Sequence, residues 1–185
     1  SAGEIYVAGS SGGTWGSPIL PYPGSSAHVA RFAPNGALIW NTFLGAGGGE
    51  IGHDIGLDAQ RGLVVPGRAA SEWGTPDRPY DPLAGFQAFA AGIDPDGNLI
   101  WNTYLGGAED HDARGGSVDA LGNVFVAGIS WNTWDDPIRP HSGIENIDGF
   151  IAKLIVEPDT AGDVLSDADE ADLGTNPNVV DTDGD

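Results

Sequence analysis

The chain has no cysteine and no methionine in its 185 residues. That excludes a disulfide framework and thiolate metal chemistry, but it leaves the compartment open, because exported proteins without disulfides are common. Basic residues are scarce: 7 Lys and Arg stand against 27 Asp and Glu, for a formal charge of −20. Such a surface repels nucleic acid and anionic lipid, and the few Arg are scattered, so neither is an expected partner. No apolar run approaches the ~20 residues of a membrane-spanning helix, so membrane insertion is not expected either. No signal peptide is visible, and Ser1 stands where an initiator methionine would be. The chain therefore reads as a processed product or a fragment.

Catalytic signatures are also missing. There is no His-Glu-x-x-His, no serine elbow and no phosphate loop, and the glycine run Gly47-Gly48-Gly49 has no lysine after it. The four histidines, His28, His53, His111 and His141, share no spacing. Glu109-Asp110-His111-Asp112 has the composition of a ligand cluster. Its counterpart Gly48-Gly49-Glu50-Ile51 has lost most of those groups, so a solvated crossover loop is the expectation. The chain is not expected to be an enzyme.

What the sequence does contain is repetition. The stretch Asp94-Pro95-Asp96-Gly97-Asn98-Leu99-Ile100-Trp101-Asn102-Thr103-Tyr104-Leu105-Gly106 joins two β-type runs through a tight-turn signal. Its twin runs from Ala33-Pro34-Asn35-Gly36 to Trp40-Asn41-Thr42-Phe43-Leu44-Gly45, and both Trp and Gly lie 61 residues apart between the two copies. The segment Gly3–Ser10 recurs at Gly62–Gly67 and Gly122–Gly128, and Val29–Phe32 recurs at Ala90–Ile93 and Ile151–Leu154. Short strands are expected at Asp54–Asp58 and Gly115–Asp119, while Pro66 cannot donate to a ladder and makes its strand irregular. Each unit also carries a loop tryptophan, Trp15, Trp73 or Trp134. Trp40 and Trp101 sit inside strands and are expected to pack.

Four short antiparallel strands per ~60 residues is the arithmetic of a propeller blade. The expected fold is all-β, with antiparallel four-stranded propeller-type blades, about two and a half in this chain, and a short calcium-loop tail. The repeats fill residues 1–156, in units of about 1–58, 59–119 and 120–156. The pattern Asp119–Gly128, the element Phe150-Ile151-Ala152-Lys153-Leu154 and the hairpin Asp94–Gly107 resemble the bacterial β-propeller repeats known as SBBP repeats. Departures from that pattern are Pro66, Gly92 in place of a basic residue, and a third unit that never reaches its tryptophan hairpin. Because two and a half blades cannot close a ring, the open blade faces are expected to be covered by other chains or by further blades of the same chain.

Residues 157–185 hold ten carboxylates and no Lys or Arg. A twelve-residue calcium loop takes oxygen ligands from alternate positions and ends in a bidentate glutamate. Counted from Asp159, those positions fall on Asp163, the Leu165 carbonyl, Asp167 and Glu170, with Ala161 and Val164 as departures. Asp181, Asp183 and Asp185 begin a second, incomplete cluster. Hard oxygen donors without nearby His or Cys select Ca2+ over zinc or copper. The tail resembles the calcium-binding repeats related to thrombospondin type 3 repeats.

Together these resemblances imply an exported or cell-surface bacterial protein. Its expected role is that of a non-enzymatic structural and interaction module with a calcium-stiffened stalk. Two alternatives remain. Trp15, Trp73 and Trp134 would stack on glycans in a surface-binding module, or the chain is an accessory segment of a larger exported hydrolase.

Overall fold

A computed structural model describes residues 3–57, 62–143 and 147–154. The described residues are all-β: eleven strands, joined antiparallel within three sheets, and no helix. No helix among them is long and apolar enough to cross a membrane. The first sheet consists of β1 (Ile5–Ser11), β2 (Ser26–Phe32) and β3 (Leu38–Leu44) in that order. In the middle sheet β4 (Ile51–Gly52) and β5 (Gly56–Leu57) both pair with β6 (Leu63–Ala69), followed by β7 (Gln87–Ile93) and β8 (Leu99–Leu105). The third contains β9 (His111–Val118), β10 (Val124–Ser130) and β11 (Asp148–Leu154).

Alternation along the strands sorts the side chains into two faces per sheet. The middle sheet turns Leu63, Val65, Phe89, Ala91, Ile93 and Tyr104 toward Ala27, Val29, Trp40 and Leu44 of the first. Its opposite face carries Val64, Ala88, Ala90 and Leu105, which pack on Val124, Val126, Trp134 and Phe150 of the third. We call the face turned toward the preceding sheet leading and the other trailing. With both faces covered, β7 is buried at every position, whereas β11 alternates between half-buried and exposed.

One local arrangement recurs in all three sheets. On the first strand of each unit a glycine stands directly opposite a ring on the second: Gly9 opposite His28, Gly67 opposite Phe89, Gly128 opposite Phe150. The ring folds back over the glycine, so a Cβ at Gly67 or at Gly128 would lie 2.7 Å from the Phe ring. The loop tryptophan then meets that ring edge-on: Trp15 on His28 at 5.6 Å, Trp73 on Phe89 at 5.3 Å and Trp134 on Phe150 at 5.6 Å. Edge-to-face geometry at these distances is the favoured aromatic contact.

The asparagine of each Ile-Trp-Asn-Thr segment secures the same loop. Asn41 Nδ2 donates to the Trp15 carbonyl and Asn102 Nδ2 to the Trp73 carbonyl, both at 2.8 Å. Just beyond each tryptophan the loop hydrogen-bonds the outer strand, Ile19 N to Asn41 O at 2.9 Å and Asp77 N to Asn102 O at 3.0 Å. The outer edges of β3 and β8 are thereby covered, which removes them as templates for edge-to-edge pairing.

Two expectations are corrected. Of the short strand expected at Asp54–Asp58 only β5, Gly56–Leu57, forms; β4 lies ahead of it at Ile51–Gly52, and Asp58 lies outside the described residues. The break faces Pro66, which has no N–H to give: its carbonyl accepts from His53 N at 2.9 Å while the chain bulges away. In the third sheet Ala127 stands at that repeat position, and β9 runs through with only a register shift there. The second correction concerns Glu109–Asp112. His111 and Asp112 are not in a solvated loop; both are buried on β9, His111 at 0% and Asp112 at 3% exposure. Gly92 stands directly opposite Trp101, whose ring lies over it: a Cβ there would fall 2.5 Å from Trp101 Cε2.

Gly67→Ala is expected to cost at least the ~1–3 kcal/mol of an overpacked core, because its Cβ would run into the Ile51 carbonyl as well as Phe89. Gly12→Ala, which meets nothing within 4 Å, is expected to stay within about 0.5 kcal/mol of the parent chain. Urea unfolding of the two variants side by side checks this.

Candidate functional site

Strands β4, β5 and β9, which follow the crossovers out of the preceding sheets and which we call inner, bring together side chains from distant parts of the sequence. His53, in the turn between β4 and β5, and Arg114, in the bulge of β9, occupy equivalent repeat positions 61 residues apart. Both converge on Asp112, His53 Nε2 at 2.9 Å and Arg114 Nη2 at 3.1 Å. The Asp112 side chain is only 4% exposed, and Arg114 Nε also donates to its Oδ2 at 3.2 Å, which makes Arg114 the charged partner of this carboxylate. Beside it, Asp54 Oδ2 accepts a hydrogen bond from Gly116 N at 3.1 Å, a second tie between the middle and third sheets. An open cavity of about 430 Å³ is lined by His53, Asp54 and Ile55 on one side and Tyr6, Val7 and Ala8 of β1 on the other.

Two buried polar groups stand at equivalent repeat positions, Glu50 and His111. Glu50 accepts from the backbone N–H of Gly47 and Gly48 at 3.3 and 3.1 Å and from Ser71 Oγ at 3.3 Å. His111 Nε2 accepts from Gly107 N at 2.9 Å, which places the ring proton on Nδ1, where it is donated to Ser130 Oγ at 3.0 Å. Ser130 Oγ passes its own proton to the Asn132 carbonyl at 2.6 Å. Gly45 and Gly106, at φ +142° and +133°, leave room for these two side chains; a Cβ there would meet Glu50 Cδ at 2.7 Å and His111 Cγ at 2.5 Å. Burial drives the His111 pKa down to about 4, against a smaller opposing pull from Asp110. A neutral imidazole with both nitrogens engaged and no exposure is a structural tie, not a proton shuttle.

The loop tryptophans divide. Trp73 is 7% exposed, sealed between Phe89 and the first sheet, and its backbone N donates to the Tyr104 hydroxyl at 2.8 Å. Little of its ring is left open to a ligand in this arrangement. Trp15 and Trp134 are half-buried, Trp134 with the Arg78 guanidinium 5.6 Å from its ring centre. Arg78 in turn pairs with Asp135 and donates to the Gly106 carbonyl at 2.9 Å. The expected calcium ligands Asp159, Asp163, Leu165, Asp167, Glu170, Asp181, Asp183 and Asp185 all lie outside the described residues.

Reasoning from sequence missed the His53–Asp112–Arg114 cluster, although His53 and Arg114 could have been paired by the 61-residue offset. Asp112 carried no such signal, since its counterpart is Ile51. No protein-family model matches the chain, and no curated protein sequence matches it.

Acid is expected to weaken the fold through His111. The unfolded chain takes up this proton below pH 6.5 but the folded chain only near pH 4, so stability present above pH 6.5 is lost as pH falls through that window. The loss approaches about 3 kcal/mol at 1.36 kcal/mol per pKa unit. His111→Gln keeps an acceptor for Gly107 N and is expected to remove this part of the acid dependence. Urea midpoints at pH 7, 5.5 and 4.5 for both proteins check it.

Proposed function

We propose that the chain is a non-enzymatic structural and interaction module, exported or held at a cell surface. In this reading it consists of β-propeller-type blades joined to a calcium-binding stalk at residues 157–185. The observation that carries the reading is that one sheet-to-sheet contact is made twice with equivalent residues. Leu63 and Val65 cover the first sheet as Val124 and Val126 cover the middle one. Sheets that stack by one repeated operation are the building principle of a radial propeller. The recurring rings and amides are engaged in that packing, so the chemistry left for function is at surfaces and in the acidic tail.

In the tail, ten carboxylates in residues 157–185 repel one another unless cations intervene. Ca2+ held by Asp159, Asp163, the Leu165 carbonyl, Asp167 and Glu170 would screen that charge and stiffen the link between neighbouring modules. Extracellular modules of this chemistry bind at ~10⁻⁴–10⁻³ M.

Titration calorimetry of the whole chain is expected to show calcium uptake in that range, reduced by Asp163→Asn and again by Glu170→Gln. No uptake at millimolar Ca2+ would overturn the stalk reading.

A further inference from the structure

The two ends of the sheet stack present faces that the interior of the stack has already shown how to pair. On the leading face of the first sheet Ile5 and Val7 are 47% and 40% exposed. Their repeat equivalents, Leu63 and Val65 in the middle sheet and Val124 and Val126 in the third, are buried against the sheet before them. On the trailing face of the third sheet Ile151 is 81% exposed beside a half-buried Phe125. Their equivalents, Ala90 and Val64 in the middle sheet and Val29 and Tyr6 in the first, pack against the sheet that follows. No described residue covers either end face with a further sheet.

A polar contact shows the same complementarity. Where the first sheet meets the middle one, Arg31 Nη1 and Trp40 Nε1 both donate to the Pro95 carbonyl, at 2.8 and 3.0 Å. Lys153 stands at the repeat position of Arg31, on the open trailing face, with its ammonium 6.0 Å from the Phe125 ring centre. Pro34 stands at the repeat position of Pro95, in the turn between β2 and β3. One end of the stack therefore carries the donor and the other end the acceptor of a contact the chain already makes inside itself.

We propose that the leading face of the first sheet is a docking surface for a second copy of this chain, which seats the trailing face of its third sheet there. Ile151 and Phe125 of one copy lie on Ile5 and Val7 of the other, and Lys153 donates to the carbonyl of the partner's Pro34. The contact continues the register of the two interfaces within the chain. Because the two faces differ, the association is head to tail: it closes into a ring or extends into a filament instead of stopping at a symmetric dimer. The inference rests on the interaction-module reading above and is independent of its calcium arm.

Light scattering on the 185-residue chain in EDTA tests it without involving the tail's metal chemistry. The mass is expected to rise above the 19.0 kDa of one chain as concentration is raised. Val7→Glu spoils the leading face and leaves the trailing one intact; Ile151→Glu does the reverse. Each variant alone is expected to remain a monomer with the circular dichroism spectrum of the parent chain. An equimolar mixture is expected to form a dimer that grows no further, since one good head meets one good tail. A parent chain that stays monomeric at every concentration would overturn the proposal and assign the faces to further repeats instead. Association of the parent without rescue in the mixture would also overturn it, because a symmetric contact gives that result. A failed calcium titration leaves all of these outcomes untouched, so the two readings fail separately.

Discussion

A ring folded over a glycine on the neighbouring strand is the contact on which the rest of this structure depends. Gly67 and Phe89 face each other in register, and the missing Cβ lets the phenyl ring lie flat enough for Trp73 to meet it edge-on at 5.3 Å. That stack fills the leading face of the middle sheet and meets the first sheet's Ala27, Val29 and Leu44. Gly128, Phe150 and Trp134 repeat it one sheet further on. In the first sheet His28 takes the ring position, where burial lowers its pKa and favours the neutral imidazole. The substitution falls in the sheet whose leading face has no described partner.

Once the ring stack fixes the loop tryptophan, the loop can serve the sheet edge. Asn41 and Asn102 hold the loop by its carbonyl, and the residues after it pair with β3 and β8. A buried amide that satisfies a loop carbonyl contributes about 1 kcal/mol, and leaving that carbonyl unpaired costs more. The polar residues between the sheets act in the same way: Asp112, His53 and Arg114 tie neighbouring inner strands, and Arg31 reaches the Pro95 carbonyl of the next sheet. Apolar faces supply the area of contact, and these few polar contacts set which sheets meet and in what register.

The all-β class, the hairpins and the packing role of Trp40 were legible because they rest on local chemistry. Asp94 accepts from Asp96 N and Asn98 N, and Asp119 accepts from Leu121 N and Asn123 N, so each turn is specified within five residues of sequence. The 61-residue offset then carried each local reading to its counterpart. What was not legible depends on tertiary neighbours. Glu50 follows a glycine run and His111 lies among acidic residues, which is the signature of an exposed loop, yet backbone N–H groups and serine hydroxyls inside the fold satisfy them. The interruption opposite Pro66 could be expected, but not that it would place His53 against Asp112. A loop tryptophan in a repeat reads more readily as an anchor than as a ligand platform, but only its exposure decides, and for Trp73 that exposure is 7%.

A double-mutant cycle on Trp73 and Phe89 addresses the central contact most directly. With Trp73→Leu, Phe89→Leu and the double variant unfolded in urea at pH 7, the stacked rings should show a coupling of about 0.5–1.5 kcal/mol beyond their separate losses. The same cycle on Trp134 and Phe150 should give a coupling of similar size, because the unit repeats the geometry. Strictly additive costs at both pairs would contradict the account, since the rings would then be filling space independently rather than holding each loop to its sheet.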